Sequence, residues 1–400
     1  MALREVSEPH RRRVVITGMG VITAPAQTLG KFWDCVRHGV SGGTKMTRFP
    51  AGSAPTLIAA QINEFEAVNY MDAKTARRLD YSHRYGIAAA RLAQQDAGID
   101  FEKVDADRVG VVEATSASSN ETASKADEGY AKRGYKGVGP FALINGYSGA
   151  GSGEIAKELG IRGHSITLSS SSASGNDALG YAVSMIRNED VDVMVAGGAE
   201  APIVPHIWGA LCLAQVLSRR IAAYLVLEEL SYALSRGARI YAELLGHGRS
   251  CEAYHPVAPH PEGLGYFRAI QKGMRAAQID PEEIDYINAH GTATDANDIV
   301  ETKAIKRFFG PHAHRLAVSS TKPVTGHLLG AAGALETVVC ALTIHHQEIP
   351  LTLNFDEPGE GCDLDYVRGR SRPYPVRAVL NLSSGFGGKN SCLVLRRFQS

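Results

Sequence analysis

The chain reads as an α/β protein assembled from two copies of one unit. Short β-branched runs alternate with longer segments of helical period, the pattern of helices packed on sheets. A helix rich in small residues also occurs twice, at Gly149-Ala150-Gly151-Ser152-Gly153-Glu154-Ile155-Ala156 and at Gly330-Ala331-Ala332-Gly333-Ala334-Leu335-Glu336. Each copy is followed by a strand and a Ser/Gly-rich turn, Ser169 to Gly175 in one case and Ser383 to Gly388 in the other. Repetition of one supersecondary unit predicts two halves packed face to face. A length of 400 residues with 44% hydrophobic content is enough for a large core.

In chain order, the strands are expected at Arg13–Thr17, Val109–Val112, Ser165–Leu168, Asp192–Val195, Ala222–Leu227, Ile284–Asn288 and Val376–Leu382, short apolar runs rich in Val and Ile. Between them, apolar residues recur at helical spacing over Lys74–Asp96, Asn176–Ile186, Tyr266–Ala277 and Gly326–His345. The two halves are expected at residues 13–220 and 221–398.

Forty-two basic side chains balance forty-two acidic ones, so no global field holds nucleic acid or an anionic membrane. Neither is expected as a partner. Met1 to Arg13 lacks the apolar core and cleavage site of a secretory signal, and no apolar run reads as long enough to cross a bilayer; the expected location is the cytoplasm. The six cysteines form no C-x-x-C pair and read as buried apolar thiols. The pairs His312/His314 and His345/His346 lack a metal-like context, and no metal is expected.

The chemical signal lies in two strand ends. Asn288-Ala289-His290-Gly291-Thr292-Ala293-Thr294 places a histidine where an apolar strand runs out, and Ser319-Ser320-Thr321-Lys322-Pro323-Val324-Thr325-Gly326-His327 repeats the design, with His327 expected on the first turn of a helix. The positive end of a helix dipole disfavours an imidazolium there. Two neutral imidazoles aimed at one thioester oxygen would stabilise the enolate left when a malonyl thioester loses carbon dioxide. Lys322 adds positive charge and pairs with Glu336.

These motifs, together with Val14-Val15-Ile16-Thr17-Gly18-Met19-Gly20-Val21-Ile22-Thr23, Val195-Ala196-Gly197-Gly198-Ala199-Glu200-Ala201 and Gly385-Phe386-Gly387-Gly388, resemble the β-ketoacyl-acyl-carrier-protein synthases, in that family's order, from about residue 13 to 398. The resemblance implies the thiolase-like fold, five layers in the order α-β-α-β-α made from two related halves, normally dimeric with itself or with another ketosynthase. It implies catalytic roles for His290, His327 and Lys322, and a gating phenylalanine beside the oxyanion hole at Phe386, between Gly385 and Gly387. Thr292, Thr294 and Glu336 support the site. No cofactor is expected to bind the chain itself, since the acyl group arrives on the phosphopantetheine of an acyl carrier protein. The basic cluster Lys74, Arg77, Arg78 and Arg84 suits that acidic partner.

Three departures stand out. Where the family has a nucleophilic cysteine in a Thr-Ala-Cys-x-Ser-Gly context, this chain has Ser170-Ser171-Ser172-Ala173-Ser174-Gly175. A serine hydroxyl starts far above a thiol in pKa and needs a general base. An extended segment with an Arg-Pro-Phe-Asp stretch is missing after Arg220, and Leu382-Ser383-Ser384 replaces the more usual Asn-Ser-Phe. Two functions follow as alternatives: a β-ketoacyl synthase variant that retains decarboxylation, with condensation impaired, or a non-catalytic chain-length-factor-like partner of an active synthase. Both histidines and Lys322 favour the enzyme.

Overall fold

In the computed structural model, which describes residues 11–50, 52, 54–117, 120–213 and 221–399, the long strands are buried on both faces, so each sheet needs a covering layer on either side. The first repeat comprises β1 (Val14–Ile22), α1 (Ala73–Arg78), α2 (Tyr81–Ala97), β2 (Val109–Ala114), α3 (Ala150–Leu159), β3 (Ser165–Leu168), α4 (Ser174–Arg187), β4 (Val193–Glu200), α5 (Pro205–Leu213) and β5 (Ile221–Glu229). The second comprises β6 (Ala242–Cys251), α6 (Leu264–Ala277), β7 (Ile284–Asn288), α7 (Asp295–Phe309), β8 (Ala317–Ser319), α8 (Ala332–His346), β9 (Ala378–Gly385) and β10 (Lys389–Arg396).

Strand order proves the duplication. The first block runs β3-β2-β4-β5-β1 and the second β8-β7-β9-β10-β6, so both read 3-2-4-5-1 within their own repeat. In each, the second strand is parallel to its neighbours and the fifth is antiparallel to both of its own. The blocks meet where Val14–Ile16 of β1 pairs with Ala242–Leu244 of β6. This is the thiolase-like architecture expected from the sequence.

Side-chain alternation builds the layers. Along β5, Ile221, Ala223, Leu225 and Leu227 face the central core, while Ala222, Tyr224 and Val226 face the outer layer of α2 and α3. In the second repeat, Val379 of β9 faces the centre, and Ala378, Leu380 and Leu382 face α6 and α7. The middle layer is α4 and α8. Residues Ala332 to Ile344 of α8 are all buried. Leu329–His346 has the length and apolar character of a bilayer span, contrary to the sequence reading, but 83% of it is buried within the fold.

The two central helices touch at backbone distance. A Cβ on Gly175 would lie 2.4 Å from Ala334 N, and one on Gly333 would lie 2.6 Å from Asn176 N. A buried amide pair closes the contact: Asn176 Nδ2 donates to Asn381 O (3.0 Å), and Asn381 Nδ2 reaches Asn176 Oδ1 (3.0 Å), Gly333 O (2.9 Å) and Thr337 Oγ1 (2.9 Å).

Several boundaries differ from the sequence reading. The expected helix Lys74–Asp96 is two, because Asp80 leaves the helical region and caps α2 by accepting from Ser82 N. The expected helix Gly326–His345 begins only at α8, after a short helix at Lys322–Thr325 and a 3-10 turn at Leu329–Ala331. β5 pairs with β1 and β4 and so completes the first repeat, which moves the topological boundary from 220/221 to between Glu229 and Ala242. Residues 214–220, where the shortened connection was read, lie outside the described residues. Of the cysteines, Cys340, Cys362 and Cys392 are buried, but Cys35 and Cys212 are half-buried and Cys251 is exposed.

Glu113 on β2 is buried in the first repeat, where Tyr224 Oη (3.2 Å) and Thr167 Oγ1 (3.3 Å) donate to it. Burial pushes its carboxyl up to about 8. A folded-state pKa raised above the ordinary 4.5 favours the protonated fold, so its contribution is fully present below that value and is lost as pH rises through about 8. Urea unfolding of wild type is therefore expected to show stability falling across this window, with a shallower fall in Glu113→Gln; equal slopes would show that the carboxyl does not titrate with folding.

Candidate active site

Four loops from both repeats converge at the C-terminal ends of the strands. From the first repeat comes the serine turn between β3 and α4. Ser174 Oγ accepts from Ser170 N (2.7 Å) and donates to Ser171 O (2.5 Å), which tightens the turn and sets Ser172 just before the helix begins. Ser171 has a left-handed backbone, φ +57°. Ser172 is buried, as expected at a strand-to-helix elbow.

The second repeat supplies the histidines. His290 follows β7, and its turn is held by Glu301 of α7, whose carboxylate accepts from His290 N (2.7 Å) and Gly291 N (3.0 Å). Gly291, at φ +40°, lies so close to Ser320 that a Cβ would be 2.6 Å from the serine's own. Ser320 Oγ donates to Gly291 O (2.9 Å), tying the two histidine loops together. His327 does not stand on a helix. It lies in extended chain between the Lys322–Thr325 helix and the Leu329–Ala331 turn, because Gly326 (φ +85°) breaks the helix before it. The dipole argument gives way to a direct bond: Leu329 N donates to His327 Nδ1 (3.3 Å). With Nδ1 an acceptor, the neutral ring carries its proton on Nε2.

That Nε2 lies 3.1 Å from Ser172 Oγ. The His290 and His327 rings meet edge to face with centroids 5.3 Å apart. His290 is held well below the ordinary imidazole value, first by burial, then by the Lys322 ammonium and His327. It stands neutral at physiological pH. Lys322 Nζ donates to Glu336 Oε1 at 2.5 Å, and Ser383 Oγ sits 3.5 Å from Oε2 of the same carboxylate. Burial pushes the Glu336 carboxyl up, and the ammonium opposes it. Burial likewise pushes Glu301 up to about 7, against the two backbone N–H groups that hold its charged form.

The hairpin between β9 and β10 closes over the serine turn. Gly387 (φ +81°) and Gly388 (φ +69°) make its tip, and Gly387 N donates to Pro256 O (2.8 Å). Gly385 must lack a side chain, since a Cβ would lie 2.8 Å from both Ser171 Cβ and Ser172 N. Phe386 is 45% exposed, as a lid residue would be. Beside the histidines opens a cavity of about 850 Å³ lined by His327, Lys322, Thr292 and Thr294 among others. The two threonine hydroxyls bond each other at 3.0 Å.

Of the four basic residues on the surface patch, Lys74 and Arg77 are exposed. Arg78 is engaged by Glu154 through two bonds of 2.5 and 2.6 Å, and Arg84 donates to Leu79 O (2.9 Å) and lies over the Tyr81 ring. Sequence reasoning missed Glu301 and Ser171. Glu301 was detectable as a carboxylate amid the buried Val300, Thr302, Ala304 and Ile305 of α7; Ser171 carried no signal, because its role depends on a φ that only the folded turn sets.

Two family models match the chain: the beta-ketoacyl synthase N-terminal domain over residues 11–225 and the beta-ketoacyl synthase C-terminal domain over residues 241–356. The chain belongs to the beta-ketoacyl synthase family. A 3-oxoacyl-[acyl-carrier-protein] synthase 2 of Coxiella burnetii is 38% identical, covering 97% of this chain and 99% of that protein. The aligned stretch, 410 residues, exceeds the chain's own 400, so that relative has residues for which this chain has no counterpart. Among solved structures, the ishigamide ketosynthase/chain length factor superposes with a TM-score of 0.92 at 33% identity, covering 97% of this chain and all of that one. A type II polyketide synthase acyl-carrier protein in complex with its ketosynthase, bound to the hexaketide, gives 0.87 at 29% identity over 98% of this chain and all of that one.

The Lys322–Glu336 pair is nearly solvent-free, with the two side chains 6% and 3% exposed. Removing one partner strands a buried charge, which costs about 3–5 kcal/mol. Lys322→Ala is expected to lower the urea midpoint accordingly, and Lys322→Met with Glu336→Gln to recover most of the loss. A single variant as stable as wild type would show that the pair does not hold the site.

Proposed function

We propose that this protein acts on malonyl- and acyl-carrier-protein thioesters in fatty-acid or polyketide synthesis as a β-ketoacyl synthase variant that retains decarboxylation, with condensation impaired by Ser172 in the nucleophile's place. One observation carries the reading: Leu329 N–H occupies His327 Nδ1, so Nε2 faces Ser172 as a donor. A donor cannot take the hydroxyl's proton, and Ser172 lacks the general base that a serine nucleophile requires.

The same arrangement suits decarboxylation. His290 and His327, both neutral, present donors to the thioester oxygen. As the bond to the malonyl carboxylate breaks, carbon dioxide leaves and its electron pair passes into the enolate, whose negative oxygen the two donors stabilise. The enolate carbon then takes a proton from solvent, giving the acetyl thioester. Lys322 and Glu336 set the field around the pair. Arg77 and Lys74, beside a cavity of about 330 Å³ that Arg77, Arg78, Arg84 and Lys125 line, form the surface for an acidic carrier whose phosphopantetheine brings the substrate. Assembly is with a second copy or with another ketosynthase, as in the ketosynthase/chain length factor pair it resembles.

That resemblance, together with Ser172, favours a second reading: a non-catalytic partner subunit of an active synthase. The two separate on one experiment. Purified protein incubated with malonyl-carrier protein, with and without an acyl-carrier donor, is expected to yield acetyl-carrier without ketoacyl product by mass spectrometry. His290→Ala or His327→Ala should each slow that step by about 10²–10³-fold, the worth of one oxyanion donor. Ser172→Cys is expected to restore part of the acylation. Neither product, with co-purification of a cysteine-bearing homologue, would sink the enzyme and leave the partner subunit.

A further inference from the structure

Resting on the reading that this site fails at acyl loading, we propose that the Ser171 hydroxyl occupies the backbone donor that acyl transfer needs, so that Ser171 and Ser172 block loading by separate means. Phe386 N donates to Ser171 Oγ at 3.1 Å, a bond between the two repeats and 215 residues apart in sequence. It exists because Ser171 takes a left-handed backbone that L side chains rarely adopt. Ser174 holds it there by donating both its backbone N–H (3.1 Å) and its hydroxyl (2.5 Å) to Ser171 O.

The hairpin sits hard against the serine turn. Gly385 is pressed against the turn so closely that a Cβ would meet Ser171 Cβ and Ser172 N, both at 2.8 Å. Phe386 N–H is thereby held beside residue 172, whose Oγ faces His327 on the other side. Two sets of donors flank the elbow: the imidazoles, which the decarboxylation uses, and the hairpin backbone, which a tetrahedral intermediate on residue 172 would use. The Ser171 hydroxyl fills the second and leaves the first untouched. An alanine or glycine at this position offers no such acceptor.

The test supplies a competent nucleophile and then unblocks the donor. In a Ser172→Cys background, the thiolate attacks the thioester carbon of an acyl-carrier protein, and the bond to the phosphopantetheine sulfur breaks. The departing thiolate takes up the proton that the new thiol gave, so the acyl group moves with no net redox change. Acyl transfer, followed by intact-protein mass spectrometry, is compared among Ser172→Cys alone, with Ser171→Ala and with Ser171→Gly. Both double variants are expected to load at least about tenfold faster, a fraction of the 10²–10³ that one oxyanion donor supplies. Alkylation of the same thiol by iodoacetamide, a displacement with no oxyanion, is expected to change less than twofold.

Acylation no faster in the double variants would overturn the proposal. Alkylation rising in step with acylation would also overturn it, by showing exposure of the thiol as the cause, and so would a gain in Ser171→Gly alone, by showing backbone relief as the cause. Wild-type protein that makes no acetyl-carrier from malonyl-carrier would instead defeat the decarboxylase reading, and the acyl-loading comparison would still stand or fall by itself.

Discussion

The structure depends on the backbone-distance contact of α4 and α8 in the middle layer. Gly175 and Gly333 let the two helix starts approach until a single Cβ on either would clash with the partner's backbone, and Asn381 then reads the contact through bonds to Asn176, Gly333 and Thr337. Three of the four site loops are positioned from this seam. The serine turn opens α4, and the His327 segment leads into α8. The hairpin that covers both grows from β9, which carries Asn381. Separation of the helices by the width of a methyl group would draw Ser172 out of its 3.1 Å contact with His327.

Burial then selects the chemistry. Burial first, then the Lys322 ammonium and the second imidazole, hold His290 well below the ordinary imidazole value, which in the proposed reading leaves it a hydrogen-bond donor rather than an acid. Glu336 satisfies Lys322, and Glu301 satisfies the backbone turn under His290. These carboxylates are spent on holding donors in place. In the proposed reading, no described residue at the elbow serves as a base for Ser172, and a donor pair without a base favours the step that breaks a carbon–carbon bond over the step that acylates an oxygen.

The family's fold accommodates these changes because its two repeats contribute different things. The first repeat provides the serine turn and the second provides the two histidines. In the proposed reading, a hydroxyl in the thiol's place and a backbone donor filled by Ser171 alter the first contribution at two adjacent residues. The second is intact. A duplicated architecture with its site at the seam can lose one half-reaction in this way without disturbing the core.

Much of this was legible in the sequence. The alternation of apolar strands with amphipathic helices determined an α/β fold, because period and composition act locally. The two small-residue segments are not counterparts, since Ala150–Leu159 lies between the second and third strands of its repeat and Ala332–His346 between the third and fourth of its own. The histidine loops and the serine turn were also readable, since each is a short run of characteristic residues at a strand end. What only the tertiary structure decided was geometry across the seam. His327 was placed on a helix by its sequence context, but Gly326 breaks that helix and Leu329 N–H assigns its proton. The helix Lys74–Asp96 divides at a cap, and two of its arginines turn to Glu154 and Leu79 rather than to solvent. β5 belongs to the first repeat because an antiparallel fifth strand must bridge β4 to β1, a pairing no local window contains. The acceptor role of Ser171 lay beyond any reading of the chain, because it rests on a left-handed φ and on a partner 215 residues away.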